Sequence, residues 1–117
     1  MKRILIFDDD QDILEVCATI LEIRGHKVFT SDNCHQVEEK IRSYNPDIIL
    51  MDNKVGNTNG VEATQHIKKT DHLRNIPVIL FSANANIAEL AVAAGAQGYL
   101  AKPFDISELT VIIDTLA

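Results

Sequence analysis

Three consecutive carboxylates, Asp8, Asp9 and Asp10, follow directly on the apolar run Ile4-Leu5-Ile6-Phe7. A fourth, Asp52, follows a second apolar run, Ile48-Ile49-Leu50-Met51. Ser82-Ala83-Asn84 follows a third run that ends in Phe81, and Lys102-Pro103 follows the short run Gly98-Tyr99-Leu100-Ala101. Carboxylates gathered in one pocket repel, by roughly 4 kcal/mol for a pair about 4 Å apart at an effective dielectric of about 20. Proton uptake or a bound cation relieves that repulsion. A donor set of oxygens alone, without Cys or His, selects Mg²⁺ (Mn²⁺ or Ca²⁺ could substitute) over Zn²⁺. Lys102 would bring a mobile positive charge to such a pocket, and Ser82 a hydroxyl donor. All of this requires the four segments to end at one place.

The elements between them provide it. Short apolar runs at 4–7, 27–30, 48–51, 76–81 and 98–101 read as strands. They alternate with helical stretches at 12–24, 34–44, around Val61, Thr64 and Ile67, at 86–94 and at 106–116. In the first helix Ile13, Val16, Cys17, Ile20 and Leu21 fall at helical spacing, and Gly25 closes it. Asn45-Pro46 ends the second. Residues 53–59 are polar and turn-rich and read as a loop, and Pro77 stands at the start of the fourth strand, where a missing N–H is tolerated. The runs at 4–7, 48–51 and 78–81 are apolar without alternation, as strands covered on both faces are. Strict alternation predicts an α/β fold, a (βα)5 doubly wound sandwich with a five-stranded parallel sheet. Ligands of such sheets bind at the carboxyl ends of the strands. Asp10 is expected to be the N-cap of the first helix, with Asp12 complementing its dipole.

Composition narrows the function. The chain has 117 residues, 46% hydrophobic and 24% charged, enough for one ordinary domain with its own core. Acids outnumber bases 17 to 11, for a net charge of −6, and no Lys/Arg cluster offers a footprint for nucleic acid. No apolar run approaches the roughly 18 residues that span a membrane. The first apolar run stops at Asp8, which excludes a signal peptide. Cys17 and Cys34 make no disulfide framework, and both read as largely buried thiols in apolar helical settings. A cytoplasmic protein is expected. The first strand turn lacks the glycines of a dinucleotide site and carries acids that repel phosphate unless a cation intervenes. A calcium loop beginning at Asp8 fails at Ile13, where glycine is required, and at Thr19, where glutamate is.

At these positions the whole sequence closely resembles the receiver domain of two-component response regulators. Ile4-Leu5-Ile6-Phe7-Asp8-Asp9-Asp10 matches the family's first strand and acidic pair. Pro46-Asp47-Ile48-Ile49-Leu50-Met51-Asp52 matches the strand of the phosphorylated aspartate, and Gly60 falls at the usual glycine after the following loop. Val78-Ile79-Leu80-Phe81-Ser82-Ala83 matches the strand ending in the switch Ser/Thr. Gly95 to Phe104 matches the segment with the switch aromatic and the Lys-Pro pair.

The resemblance implies a flavodoxin-like strand order 2-1-3-4-5. It implies that Asp52 is the phosphoacceptor and that Asp8, Asp9, Asp52 and the backbone carbonyl of Lys54 hold Mg²⁺. Lys102 and Ser82 would bind phosphoryl oxygens, Tyr99 would turn inward as Ser82 moves, and the Lys102–Pro103 bond would be cis. The implied protein is a phosphoacceptor regulator rather than an enzyme, limited to Mg²⁺-dependent self-phosphorylation and slow autodephosphorylation. The donor would be a sensor histidine kinase or a histidine phosphotransfer domain. The fourth helix, fifth strand and fifth helix would form the surface for an output partner or a homodimer. Residues 1–117 are expected to be one receiver domain, with no output domain among them.

Two departures stand out. Gly56 replaces the proline common in the family, which predicts a looser loop. Lys54 stands where an apolar or amide side chain is common, and with Asn84 it is a candidate for tuning the phosphoryl lifetime. Two other classes compete. A receiver-like binding module that never turns over phosphate would not need the full set Asp8, Asp9, Asp52, Ser82 and Lys102. A hydrolase with an aspartyl nucleophile in the first acidic motif would leave Asp52 unexplained and needs a longer chain.

Overall fold

Consecutive buried apolar residues build the sheet from its centre outwards. A computed structural model describes all 117 residues. In chain order the elements are β1 (Arg3–Phe7), α1 (Gln11–Ile23), β2 (Lys27–Ser31), α2 (Val37–Tyr44) and β3 (Ile48–Asp52). A small hairpin follows, β4 (Lys54–Val55) and β5 (Thr58–Asn59). Then come α3 (Gly60–Lys69), β6 (Val78–Ser82), α4 (Ile87–Ala94), β7 (Gly98–Ala101) and α5 (Ile106–Leu116). The main sheet is parallel throughout, in the order β2-β1-β3-β6-β7. Without the hairpin this is the expected 2-1-3-4-5.

Side chains alternate across each strand, so the unbroken apolar runs feed two cores. Leu5, Phe7, Ile49, Met51 and Leu80 face α2, α3 and α4. Ile4, Ile6, Leu50, Ile79 and Phe81 face α1 and α5. Register then sets the site. Phe7 pairs with Met51 and Asp52 pairs with Phe81, so Asp8, just past the end of β1, stands beside Asp52, the last residue of β3.

Caps fix the helices to that edge. Asp10 Oδ1 accepts the N–H groups of Asp12 (2.9 Å) and Ile13 (3.4 Å), as expected for the N-cap of α1. Asp105 and Glu108 form a capping box that starts α5 immediately after the Lys102–Pro103 turn. The Lys102–Pro103 peptide is cis.

Several local expectations need correction. Helix α2 begins at Val37 rather than at residue 34. Gln36 before it is left-handed (φ 52°), and Asn33, Cys34 and His35 belong to the preceding loop. Cys34 is therefore half-buried in a loop, while Cys17 is buried in α1. Val16 lies on the outer face of α1 at 54% exposure, because Leu14, Cys17 and Leu21 already fill the inner face. The fourth sheet strand runs over 78–82, with Pro77 just ahead of it offering only its carbonyl, to Ile49 N–H (2.9 Å). Residues 53–59 contain the β4–β5 hairpin within what reads as loop.

Candidate functional site

Asp8 directly follows β1 and is 1% exposed. Its Oδ1 accepts Asp10 N–H (2.9 Å), and its Oδ2 accepts the Lys102 ammonium (2.8 Å). The same ammonium lies 3.6 Å from Asp52 Oδ1. One carboxylate oxygen from each of Asp8, Asp9 and Asp52 lies within 4.8 Å of the other two. The strand ends thus bring together Asp8, Asp9, Asp52 and Lys102, residues that lie up to 94 positions apart in the chain.

Electrostatics follow from that crowding. The Asp52 carboxyl is pushed up from its ordinary 3.8 to about 6, chiefly by burial. Lys102 opposes the rise, Asp8 adds to it through its charge and a side-chain hydrogen bond, and Asn53 N–H opposes it. Burial also raises the Cys17 thiol to about 11, with the Asp8 charge adding to it. Above pH 6 the cluster holds three carboxylates against one ammonium. That surplus of negative charge, on oxygen donors alone, fits a hard divalent cation such as Mg²⁺. Asp9 is exposed and turned to the mouth, where Gly56 N–H donates to its Oδ2 (3.1 Å).

The hairpin completes one side. Gly60 N–H donates to Asn53 O (2.6 Å), a register that makes Lys54–Asn59 the non-hydrogen-bonded pair. The Lys54 carbonyl is therefore outside the hairpin ladder, and its side chain is exposed. Gly56 occupies the turn with φ 61°, a conformation closed to proline, and its N–H is in use. The glycine closes a hydrogen-bonded hairpin where its type predicts looseness.

Ser82 ends β6 and is buried. Its Oγ accepts Asn84 N–H (3.0 Å), and its backbone carbonyl accepts Lys102 N–H (2.9 Å). The hydroxyl proton of Ser82 is not used in that bond. Asn84 is exposed, and its Oδ1 accepts Asn86 N–H (2.8 Å) at the start of α4. Tyr99 faces outward at 48% exposure. Sequence reasoning missed two participants. The Gly56 N–H has no signature, since any non-proline residue carries one. Phe81 lies under Lys102, its ring centroid 4.5 Å from the ammonium, and reads in sequence as one more core residue.

Comparison with known proteins agrees with this geometry. The family model of the response regulator receiver domain matches residues 4–114. Over 112 residues, 92% of the chain, the sequence is 35% identical to the phosphate regulon transcriptional regulatory protein PhoB of Pseudomonas aeruginosa, of which it spans 48%. Over 107 residues, 89% of the chain, it is 34% identical to the CAI-1 autoinducer sensor kinase/phosphatase CqsS of Vibrio cholerae, of which it spans 16%. The chain thus spans less than half the length of these two relatives. The receiver domain of the Francisella response regulator 1452 superposes with a TM-score of 0.89 at 28% identity, covering 99% of this chain and 96% of that one.

Proposed function

Because the chain belongs to the response regulator receiver domain family, we propose that it is a phosphorylation-dependent signalling switch whose phosphoacceptor is Asp52. The donor is a phosphohistidine of a sensor kinase or of a histidine phosphotransfer domain. The observation that carries this reading is the cluster of Asp8, Asp9 and Asp52 within 4.8 Å, with Lys102 bridging Asp8 and Asp52.

An Asp52 carboxylate oxygen attacks phosphorus in line, the P–N bond breaks, and the imidazole leaves. With its carboxyl at about 6, Asp52 is ionised and nucleophilic at pH 7 and above. Lys102 and the free hydroxyl proton of Ser82 meet the phosphoryl oxygens, and exposed Ala83 leaves the mouth open. Asp8, Asp9, Asp52 and the Lys54 carbonyl would hold Mg²⁺, which when bound neutralises charge on the transferred group.

The switch uses the same contacts. A new dianion on Asp52 draws Ser82 and Lys102, the β6–α4 turn follows Ser82, and outward Tyr99 takes the space released. Val92, Tyr99 and Val111 are exposed apolar side chains on α4, β7 and α5. A groove of about 480 Å³ between β7 and α5 adjoins Tyr99. This surface is the place for an output partner or a second copy of the chain. No helix is long and apolar enough to cross a membrane, and the free thiols of Cys17 and Cys34 fit a cytoplasmic location.

Incubation with acetyl phosphate and Mg²⁺, followed by intact mass measurement, tests the reading. One added phosphoryl group is expected, absent without Mg²⁺ and absent in Asp52→Asn. No gain from acetyl phosphate or from a phosphohistidine donor would instead make the chain a binding module without phosphoryl turnover. Lys54, two residues past Asp52, and Asn84, two residues past Ser82, are exposed and would control the water that hydrolyses the acyl phosphate. Lys54→Met is expected to change the phosphoryl half-life severalfold, and an unchanged half-life sinks that role.

A further inference from the structure

Lys102 follows β7, yet its ammonium reaches Asp8 at the end of β1, with β3 and β6 lying between. The side chain must cross whatever β6 presents there. The residue is Phe81, the register partner of Asp52. The ammonium lies 4.5 Å from the ring centroid, beside its 2.8 Å contact with Asp8 and 3.6 Å from Asp52.

The ring is firmly held. Phe81 is fully buried, Phe104 packs against it edge-on at 6.4 Å, and its carbonyl accepts Asn53 N–H (3.2 Å). The Lys102 side chain is only 18% exposed, so water competes weakly for its charge. Attraction between an ammonium and an aromatic face is strongest under those conditions.

The other two partners of the ammonium are carboxylates, and a divalent cation held at the cluster would compete with the ammonium for them. An aromatic face neither ligates such a cation nor takes a proton. We propose that Phe81 is a positioning residue: its ring seats the Lys102 ammonium when Asp8 and Asp52 are engaged, and so keeps it beside the acceptor for the incoming phosphoryl group. An aliphatic side chain would fill the same volume and leave the charge unseated. The inference rests on the reading of Lys102 as the cation that meets the phosphoryl group.

Two measurements test it. In Mg²⁺-saturated protein the Lys102 Hε resonances should stay shifted upfield by the Phe81 ring current, and should return to ordinary lysine positions in Phe81→Leu. Ordinary positions in the Mg²⁺-saturated wild type would overturn the proposal. The second replaces Phe81 by its 4-fluoro, 3,5-difluoro and 3,4,5-trifluoro analogues, which nearly keep its shape while draining charge from its face. The phosphorylation rate constant with acetyl phosphate should fall stepwise, roughly fivefold at the trifluoro analogue, with the thermal midpoint unchanged. A flat series would overturn the proposal. If no donor phosphorylates Asp52, the functional reading fails, and the resonance measurement still decides whether the ring seats the ammonium.

Discussion

Asp52 is held in a pocket that resists its negative charge, and this has a consequence for stability apart from signalling. Its carboxyl titrates at about 6 in the fold against 3.8 ordinarily, mainly because it is buried and has Asp8 beside it. Between those values the folded chain keeps a proton that the unfolded chain has released. Stability therefore falls as pH rises from about 4 to about 6, and the full penalty is present above that. A difference of that size corresponds to roughly 3 kcal/mol. Asp52→Asn, without divalent cation, should be more stable than wild type by on the order of 2 kcal/mol at pH 7.5, with the advantage gone below pH 4. Urea unfolding across that range measures it, and an offset constant with pH would exclude ionisation as its source. The four charged residues of this cluster were legible in sequence because Asp8, Asp52 and Lys102 each directly follow an apolar run or a short strand and Asp9 adjoins Asp8. Phe81 was not, since an aromatic inside an apolar run looks like core whether or not a lysine crosses its face.

At the scale of elements, the β3–α3 connection positions Asp52, the proposed phosphoacceptor. A Cβ on Gly60 would come within 1.8 Å of the Asp52 backbone carbonyl oxygen. Helix α3 therefore starts directly against the end of β3, an approach that only glycine allows. Gly60→Ala must push α3 and the acceptor strand apart, at roughly 1–3 kcal/mol. It should also slow phosphorylation, since the Asp52 carbonyl and carboxylate move together. Unfolding and acetyl phosphate kinetics on the same protein measure both, and native stability with a native rate would show that the junction yields freely. The main strands were readable because burial on both faces leaves unbroken apolar runs. The β4–β5 hairpin was not, since its four strand residues carry little apolar alternation and its pairing rests on backbone hydrogen bonds. The start of α2 was misplaced for a related reason. Apolar Cys34 and Val37 continue the helical spacing backwards, while left-handed Gln36 interrupts the backbone.

Across the whole molecule, a net charge of −6 and three carboxylates at one sheet edge make proton and metal ion rivals for the same place. A cation that binds only the folded chain stabilises it by mass action, by about 2.7 kcal/mol at one hundred times its dissociation constant. For a domain of this size that is a midpoint rise of about 10 °C. At pH 7.5 Asp52 is already ionised and Mg²⁺ binds without displacing a proton. At pH 5 the carboxyl, titrating at about 6, is largely protonated and must first release it. One pH unit below that value lowers the apparent affinity about tenfold, or about 1.4 kcal/mol. The Mg²⁺-induced rise in midpoint should therefore be roughly half as large at pH 5 as at pH 7.5. Binding heats should depend on the buffer's ionisation enthalpy near pH 5 and not at pH 7.5. Asp52→Asn should show one weaker increment at both values, because the competing proton is gone. Equal increments in the wild type would mean that the cation is held by groups other than Asp52, with the acceptor outside its coordination.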